Sequence, residues 1–222
     1  MDLTVSSDIS PCYDYEKDPG AIYRQSFAIV RKEANLSVLP DDLHPVAVRL
    51  IHACGMTDLP SDIAFSKDVV SAAHKAFENG APVLCDVEMV SHGIIRSRLP
   101  EASRVICTLN DPSVPALAAE LGTTRSAAAV ELWREQLEGA VVAIGNAPTA
   151  LFHLLDLIGS DGPKPAVILG FPVGFVGAAE SKEALVANPF GIPYLAVSGR
   201  RGGSAMAAAA VNALAAGLPE DI

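Results

Sequence analysis

The sequence predicts a single three-layer, doubly wound α/β domain over residues 1–222, with a mostly parallel sheet, helices on both faces and an N-terminal helical segment. Three observations predict this class. Short apolar runs of strand length recur from residue 81 onwards, helical segments separate them, and one hydrophobic core can serve a chain of 222 residues. We expect the stretches 1–12 and 217–222, which carry no motif, to be disordered.

The first part of the chain is predicted to be helical. The stretch "GAIYRQSFAIVRKEAN" (20–35) has apolar residues at helical spacing, and "HPVAVRLIHACG" (44–55) ends at Gly55, a residue type common at helix C-termini. A third helix is predicted over 66–80, with Ser66 as its N-cap. These three helices precede the first strand candidate.

Five apolar runs predict buried strands, and four helical segments separate or follow them. The strand candidates are 81–90, 104–110, 141–146, 165–172 and 192–199. The helix candidates are 123–139, 147–159, 178–191 and 204–217. Alternation of strands and helices at this spacing indicates parallel pairing, and in such sheets ligands bind beyond the carboxyl ends of the strands.

Charge and hydropathy restrict the partners of the protein. The chain has 16 Lys and Arg against 26 Asp and Glu, a formal net charge of −10 and no basic segment, which argues against binding to nucleic acid or to an anionic membrane. Hydrophobic residues make up 50% of the chain and the mean hydropathy is +0.32, which predicts a homo-oligomer that hides apolar surface. The N-terminus lacks a basic region followed by an apolar core, so we expect no secretory signal and a cytoplasmic location.

Several familiar motifs do not occur in the sequence. The four cysteines form no Cys-x-x-Cys pair, so we expect buried free thiols rather than a metal or redox site at Cys12, Cys54, Cys85 and Cys107. There is no G-x-G-x-x-G or G-x-x-x-x-G-K-[ST] nucleotide motif and no G-x-S-x-G or H-E-x-x-H hydrolase motif. Nucleotide-dependent and hydrolytic functions therefore have no direct support.

Three glycine-containing loops, 145–149, 170–181 and 198–205, run into predicted helices. Free N–H groups at helix N-termini predict an anion-binding face, although tight turns for packing explain each glycine taken alone equally well. Arg125 lies in the first turn of the helix candidate 123–139, where a cation opposes the helix dipole. That placement indicates a side chain that reaches an anion, with a solvated surface arginine as the simpler alternative.

His52 is the histidine with the strongest physical argument for a function. It lies in the last turn of the helix predicted over 44–55, where the helix dipole favours the imidazolium form, and an ordinary pKa of about 6.5 allows proton donation near neutrality. Arg49 lies one turn earlier, so a carboxylate held by Arg49 would sit beside His52. The alternative for a histidine in an apolar stretch is a core residue that only packs.

The other polar candidates are less specific. His92 lies in a loop with two arginines and stays open as a functional residue, whereas three histidines occupy positions typical of structural residues: His44, His74 and His153. Asp86 and Glu88 alternate along the strand candidate 81–90, so they are predicted to share a face suited to acid–base work, unless one of them caps a loop.

Seven stretches in chain order carry a family resemblance. They are "AIYRQSFAIVRKEA", "RLIHACG", "APVLCDVEMVSHGIIRSRLP", "TRSAAA", "VVAIGNAPTAL", "ILGFPVGFVGAAESK" and "GRRGGSAM", and together they cover nearly the whole chain. In these stretches the chain resembles the precorrin-8X methylmutases and cobalt-precorrin-8 methylmutases of cobalamin biosynthesis.

The resemblance implies an isomerase that moves the C-11 methyl of a tetrapyrrole to C-12, giving hydrogenobyrinate. The substrate is either metal-free precorrin-8X or, on the early-cobalt route, cobalt-precorrin-8. Because the migration has no redox step, the resemblance implies no nicotinamide, flavin or protein-bound metal. The histidine of the "HACG" motif is the family's proposed general acid, and that position is His52 here.

The resemblance also implies substrate contacts and partners. The tetrapyrrole carries many carboxylates, and the motif positions of its contacts correspond to Ser26, Arg49 and Arg125, with Asn146 and Gly174 as further candidates. Family members are homodimers with sites near the subunit interface. Tight retention of a polyanionic product predicts its hand-over to the next pathway enzyme.

Two other functions remain open from the sequence. A non-catalytic tetrapyrrole carrier would use the same arginines and glycines but would need no titratable group at His52. A nucleotide-binding oxidoreductase or transferase is a fold-level alternative, because doubly wound sheets support many activities, but the missing phosphate motif argues against it.

Overall fold

The computed structural model describes residues 13–216, and the two stretches expected to be disordered lie outside this range. The helices are α1 (Pro19–Glu33), α2 (His44–Cys54), α3 (Val69–Glu78), α4 (Glu88–Gly93), α5 (Val114–Leu121), α6 (Arg125–Glu131), α7 (Pro148–Gly159), α8 (Ala178–Val186) and α9 (Ser204–Ala216). The strands are β1 (Ile63–Phe65), β2 (Val83–Cys85), β3 (Val105–Cys107), β4 (Val141–Ile144), β5 (Val167–Gly170) and β6 (Tyr194–Val197).

The six strands form one sheet in the order β1-β6-β5-β4-β2-β3. Strands β2 to β6 pair in parallel, as predicted, and their carboxyl ends meet at one edge. The strand β1 was not predicted; it pairs antiparallel with β6, with Ile63 opposite Val197. The α/β fold class and the mostly parallel sheet are confirmed.

Helices cover both faces of the sheet because alternate strand residues face opposite sides. Val141 and Ala143 of β4 belong to a cluster with residues of α1, α2, α3, α4 and α9. Val142 and Ile144 belong to a second cluster with residues of α6, α7 and α8. Burial on both faces explains why the strands read as continuous apolar runs.

The terminal helix α9 is packed, as predicted, and it belongs to the helical layer that α1 to α4 form on one face of the sheet. It lies against α2, α3 and α4, and its alanines at positions 207–210 and 213 are almost completely buried. Small side chains permit this approach: a Cβ on Gly93 of α4 would lie 2.8 Å from the Cβ of Ala208. Among the described residues 13–216, no helix is long and apolar enough to cross a membrane.

Three helix predictions were wrong in detail: the end of the segment 123–139, the end of the segment 178–191 and the N-cap of α3. The segment predicted over 123–139 is shorter, since α6 ends at Glu131 and a separate 3-10 turn follows over Arg134–Gln136. The helix α5 was not predicted, and α8 ends five residues before 191. Ser66 does not cap α3; its Oγ accepts a hydrogen bond from the backbone N–H of Tyr194 at 2.9 Å, which attaches the segment before α3 to β6.

The loops after β5 and β6 pack closely against each other at the carboxyl edge. Gly203 N donates to the carbonyl of Phe171 at 2.8 Å, and Gly174 N donates to the carbonyl of Arg200 at 3.4 Å. A Cβ on Gly202 would lie 2.4 Å from the Phe171 carbonyl oxygen. Only glycine fits at position 202 without moving the backbone of the neighbouring loop.

We predict that Gly202→Ala lowers the free energy of unfolding more than Gly199→Ala does. A Cβ on Gly199 meets no atom within 4 Å, so that variant carries only the strain of a left-handed residue with a φ of 71°. The clash at position 202 should cost about 1–3 kcal/mol more, as overpacking does. Urea denaturation of both variants measures the difference, and equal losses would contradict the close approach.

Candidate functional site

The side chain of His52, in the last turn of α2, faces α1 and is contacted by three α1 residues. Its Nδ1 is 2.8 Å from the Oγ of Ser26. The ring centroids of Tyr23 and Phe27 lie 5.3 Å and 5.2 Å from that of the imidazole. These contacts restrict the orientation of the imidazole.

Local sequence features explain this arrangement. Asp18 caps α1 by accepting hydrogen bonds from the N–H groups of Gly20 and Ala21. The α1 contacts of His52 lie three and four residues apart, so they project from one helix face. The helix α2 ends at Gly55 with a φ of 72°, as predicted, which leaves His52 in its last turn.

A pocket of about 400 Å³ opens beside His52 between the two helices. Ser26 and His52 contribute polar side chains to the pocket. Ile22 and Ile29 form an apolar part of its wall that is partly exposed. The remaining lining residues are Gln25, Val30, Glu33, Ile51, Gly55 and Thr57. The pocket therefore offers an apolar surface next to a titratable group.

The pKa of His52 is lowered, in contrast to the direction expected from the helix dipole. Burial disfavours the charged ring, and the nearby guanidinium of Arg49 repels it further. The free protein therefore favours neutral imidazole, and the expectation of a favoured imidazolium was wrong. The dipole argument failed because it considered α2 alone and not the burial under α1.

Arg49 is a buried cation with unused hydrogen-bond donors. The residue is only 5% exposed, and its Nε and Nη2 have no hydrogen-bond partner among the described residues. Its guanidinium lies 5.6 Å from the ring centroid of Phe27 and 5.9 Å from that of Tyr23. Burial and then the charge of Arg49 lower the pKa of Arg98, which places a second cation nearby. Unpaired buried donors of this kind suit an anionic ligand.

The loop after β6 is attached to the segment that follows α2. Arg201 Nη2 lies 2.7 Å from Asp58 Oδ2, and Arg201 Nη1 lies 3.4 Å from Asp62 Oδ2. The last turn of α2, which carries His52, is therefore held beside the carboxyl edge of the sheet.

Three other predicted contacts lie at the carboxyl edge of the sheet. Arg125 begins α6, and its Nη2 donates to the carbonyl of Leu109 and to Asn110 Oδ1, just after β3. Asn146 follows β4 and Gly174 follows β5. The structure thus brings Ser26, Arg49 and His52 together. Ser26 and His52 line the pocket, whereas Arg49 and the three edge residues do not.

A family model described as Precorrin-8X methylmutase matches residues 21–216 of the chain. The chain belongs to the precorrin-8X methylmutase family. It is an isomerase of cobalamin biosynthesis.

Similar proteins agree with this assignment. A Precorrin-8X methylmutase from Pseudomonas aeruginosa is 65% identical over 202 residues, which cover 91% of this chain and 97% of that protein. A Cobalt-precorrin-8 methylmutase from Priestia megaterium is 35% identical over 197 residues, covering 88% and 87%. A solved structure of Precorrin-8x Methyl Mutase from Thermus thermophilus has a TM-score of 0.79 at 39% identity and covers 87% of this chain and 93% of that one.

In this methylmutase family member, Asp86 does not form the carboxylate pair expected from the sequence. The strand β2 ends at Cys85, and Asp86 is 1% exposed in the turn that follows, where its carboxylate accepts hydrogen bonds from the backbone N–H groups of residues 145–147 at 2.8 to 2.9 Å. Glu88 begins α4 instead of continuing the strand. The loop-capping alternative is therefore correct, because the Asp86 carboxylate binds the backbone of the turn after β4. Burial raises the pKa of Asp86, and the three N–H groups counteract this.

The other histidines make local contacts. His44 Nε2 lies 3.1 Å from the carbonyl oxygen of Leu39, and His153 pairs with Glu131, so both have structural partners. His74 is exposed on α3. His92 is exposed in the last turn of α4, not in a loop, and its Nδ1 lies 2.8 Å from the carbonyl oxygen of Glu88.

The thiols and metal-ligating groups form no cluster in the described part of the chain. Cys54, Cys85 and Cys107 are free, but only Cys85 is fully buried; Cys12 lies outside the described residues. Burial raises the pKa of Cys107 to about 11, so it is not activated. Within residues 13–216, no three His, Cys, Asp or Glu side chains are placed to hold a metal ion.

Sequence reasoning missed the aromatic rings around the imidazole and the role of Arg201. Tyr23 and Phe27 flank Ser26 at helical spacing in "YRQSF", so the position of Ser26 was a usable signal. No sequence signal connects Arg201 with Asp58, because 143 residues separate them.

We predict that Asp86→Asn lowers the free energy of unfolding by roughly 1–3 kcal/mol, because a charged acceptor of three backbone N–H groups is lost. Glu88→Gln is the matched control: its side chain is 41% exposed, and its change should stay within about 0.5 kcal/mol. Urea denaturation at neutral pH measures both. Equal effects of the two substitutions would contradict the capping role.

Proposed function

We propose that this protein moves the C-11 methyl of precorrin-8X to C-12, giving hydrogenobyrinate, with His52 as the general acid. The observation that carries this proposal is the Ser26–His52 contact of 2.8 Å beside an apolar-walled pocket, with the buried cation Arg49 one turn away. The same three residues were selected from the sequence.

The proposed chemical step is a proton transfer that assists the methyl migration. Protonation of the ring system by His52 draws electron density from the site that the methyl leaves and lowers the barrier; the proton returns when the corrin chromophore forms. Positioned acids contribute about 10²- to 10⁴-fold. The overall reaction is an isomerisation, so it needs no nicotinamide or flavin.

Ser26 determines which ring nitrogen is available. Its Oγ lies 2.8 Å from Nδ1, so it can accept a hydrogen bond from Nδ1–H of the charged ring and from the same Nδ1–H after the ring has given up its other proton. Nε2 therefore carries the proton that is transferred to the substrate. Tyr23 and Phe27 keep the ring in this orientation.

The carboxylates of the substrate counteract the lowered pKa of His52. A carboxylate that binds Arg49 satisfies its free Nε and Nη2 and neutralises the charge that repels the imidazolium. Substrate binding thus raises the pKa of His52 and favours the protonated form of its ring. Arg125 and the loops of Asn146 and Gly174 bind further carboxylates at the carboxyl edge.

Metal-free precorrin-8X is the favoured substrate. The relative from Pseudomonas aeruginosa, which is named for precorrin-8X, is 65% identical to this chain, whereas the relative from Priestia megaterium that is named for the cobalt form is 35% identical. Cobalt-precorrin-8 is the second candidate, and parallel assays with both tetrapyrroles separate them.

We also propose a cytoplasmic homodimer that hands its product to the next enzyme of the pathway. The loop after β5 supports a protein contact, because Phe175 and Val176 are 84% and 88% exposed. Several cations that grip a polyanionic product support slow release. Sedimentation of the protein tests the homodimer, and stopped-flow product displacement tests the slow release on which the hand-over depends.

We predict that His52→Ala slows the appearance of the hydrogenobyrinate chromophore by about 10²- to 10⁴-fold, while tetrapyrrole binding persists. Visible absorbance after mixing with precorrin-8X measures conversion and binding. His74→Asn, at an exposed position on α3, is the control and should convert normally. Conversion by His52→Ala would remove the general acid, and binding without conversion by the wild type would favour the carrier alternative.

We predict that kcat/KM falls as pH rises through the pKa of His52 in the free protein, which lies below the ordinary 6.5. The acid works only when protonated, and a lowered pKa reduces the protonated fraction at neutral pH. Arg49→Met removes the repelling charge, so the NMR titration midpoint of His52 should move to higher pH. The control Arg24→Met, at an exposed position on α1, should leave it unchanged. An unshifted midpoint in Arg49→Met would contradict the assigned cause.

A further inference from the structure

Lys182 is a buried cation that the proposed reaction does not use. It lies on α8 and is 2% exposed, and its Nζ donates a hydrogen bond to the backbone carbonyl of Arg201. Burial lowers its pKa to about 8. A neutral side chain of similar length would avoid the cost of burying this charge, so packing alone does not explain a lysine here.

The contact attaches the loop after β6 to α8 on a side where empty space adjoins the loop. Lys182 borders a cavity of about 280 Å³ that Ala64, Ser198 and Gly199 also line. The ammonium bonds the carbonyl of Arg201 on this side, while the backbone contacts with the loop after β5 hold the neighbouring residues Arg200 and Gly203.

The side chain of Arg201 extends from this fixed carbonyl towards the end of α2. It contacts Asp58 Oδ2 at 2.7 Å and Asp62 Oδ2 at 3.4 Å, and Asp58 follows the last residue of α2 by four positions. The contacts from Lys182 through Arg201 to Asp58 therefore connect α8, on one face of the sheet, with α2 on the other.

We propose that Lys182 is a positioning residue for His52, acting through Arg201 and Asp58. It holds the loop after β6 so that Arg201 can fix the segment behind α2, and with it the orientation of the last turn of α2. This inference rests on the proposed role of His52. Lys182 touches neither the pocket beside His52 nor the imidazole itself.

The first experiment replaces the ammonium and restores a donor. Lys182→Met should lower kcat by about ten-fold or more with a smaller change in KM, since a misplacement of about 1 Å of a catalytic group costs up to about 100-fold. The imidazole NMR signals of His52 should shift without substrate present. Lys182→Arg should recover most of both readouts. Lys164→Met, at an exposed position near the other end of the sheet, should behave as wild type.

The second experiment tests the route through Arg201 and remains informative if Lys182→Met folds poorly. Asp58→Asn removes the charged partner of Arg201 at a surface position and should reproduce the kcat loss and the NMR shift of His52. In the double variant the two losses should be clearly less than multiplicative, because both substitutions interrupt the same contacts.

Three outcomes would overturn the inference: unchanged kcat and NMR signals in folded Lys182→Met, failure of Lys182→Arg to restore them, or fully multiplicative effects of Lys182→Met and Asp58→Asn. A lower melting temperature with wild-type kcat would show a structural role only and would also overturn it. Failure of the wild type to convert precorrin-8X would instead contradict the proposed function, and the NMR readout separates the two cases.

Discussion

The close packing of α2 against α9 determines where the imidazole of His52 lies. The helix α9 presents buried alanines to α2, so the two helix axes approach closely and α2 is held above the sheet. The other side of α2 is covered by α1, which brings Ser26 to His52. If α9 carried large side chains, α2 would move outwards and the contacts of His52 with α1 would be lost.

Two buried cations distinguish this acidic protein from an ordinary α/β domain. Among residues 13–216, Nε and Nη2 of Arg49 have no hydrogen-bond partner, and Lys182 donates to a loop carbonyl. Both placements cost stability in the free protein. In the proposed function a substrate carboxylate satisfies the donors of Arg49, and Lys182 is proposed to maintain the geometry around His52. The net charge of −10 therefore gives no indication of the local field at the site.

The lowered pKa of His52 links the two proposed roles of the site. In the free protein, burial and Arg49 favour neutral imidazole. A carboxylate placed on Arg49 would change the local charge and favour the protonated form. In the proposed mechanism the acid is therefore charged mainly when substrate is present. The proposed role of Arg49 is thus to bind a substrate carboxylate and to make the pKa of His52 depend on that binding.

Periodic and terminating signals in the sequence determined the parallel sheet, most of the helices, the stop of α2 at Gly55 and the selection of Arg49 and His52, whereas Ser26 was selected by its position in a family motif. Such signals are local, because a continuous apolar run, helical spacing and a left-handed glycine at a helix end each involve only a few neighbouring residues. Only the tertiary structure decided that Asp86 leaves the strand to bind a distant turn, that β1 pairs at the sheet edge, and that the pKa of His52 is lowered. Those outcomes depend mainly on contacts between segments far apart in the chain, and burial by such neighbours outweighs the local preferences on which the sequence prediction relied.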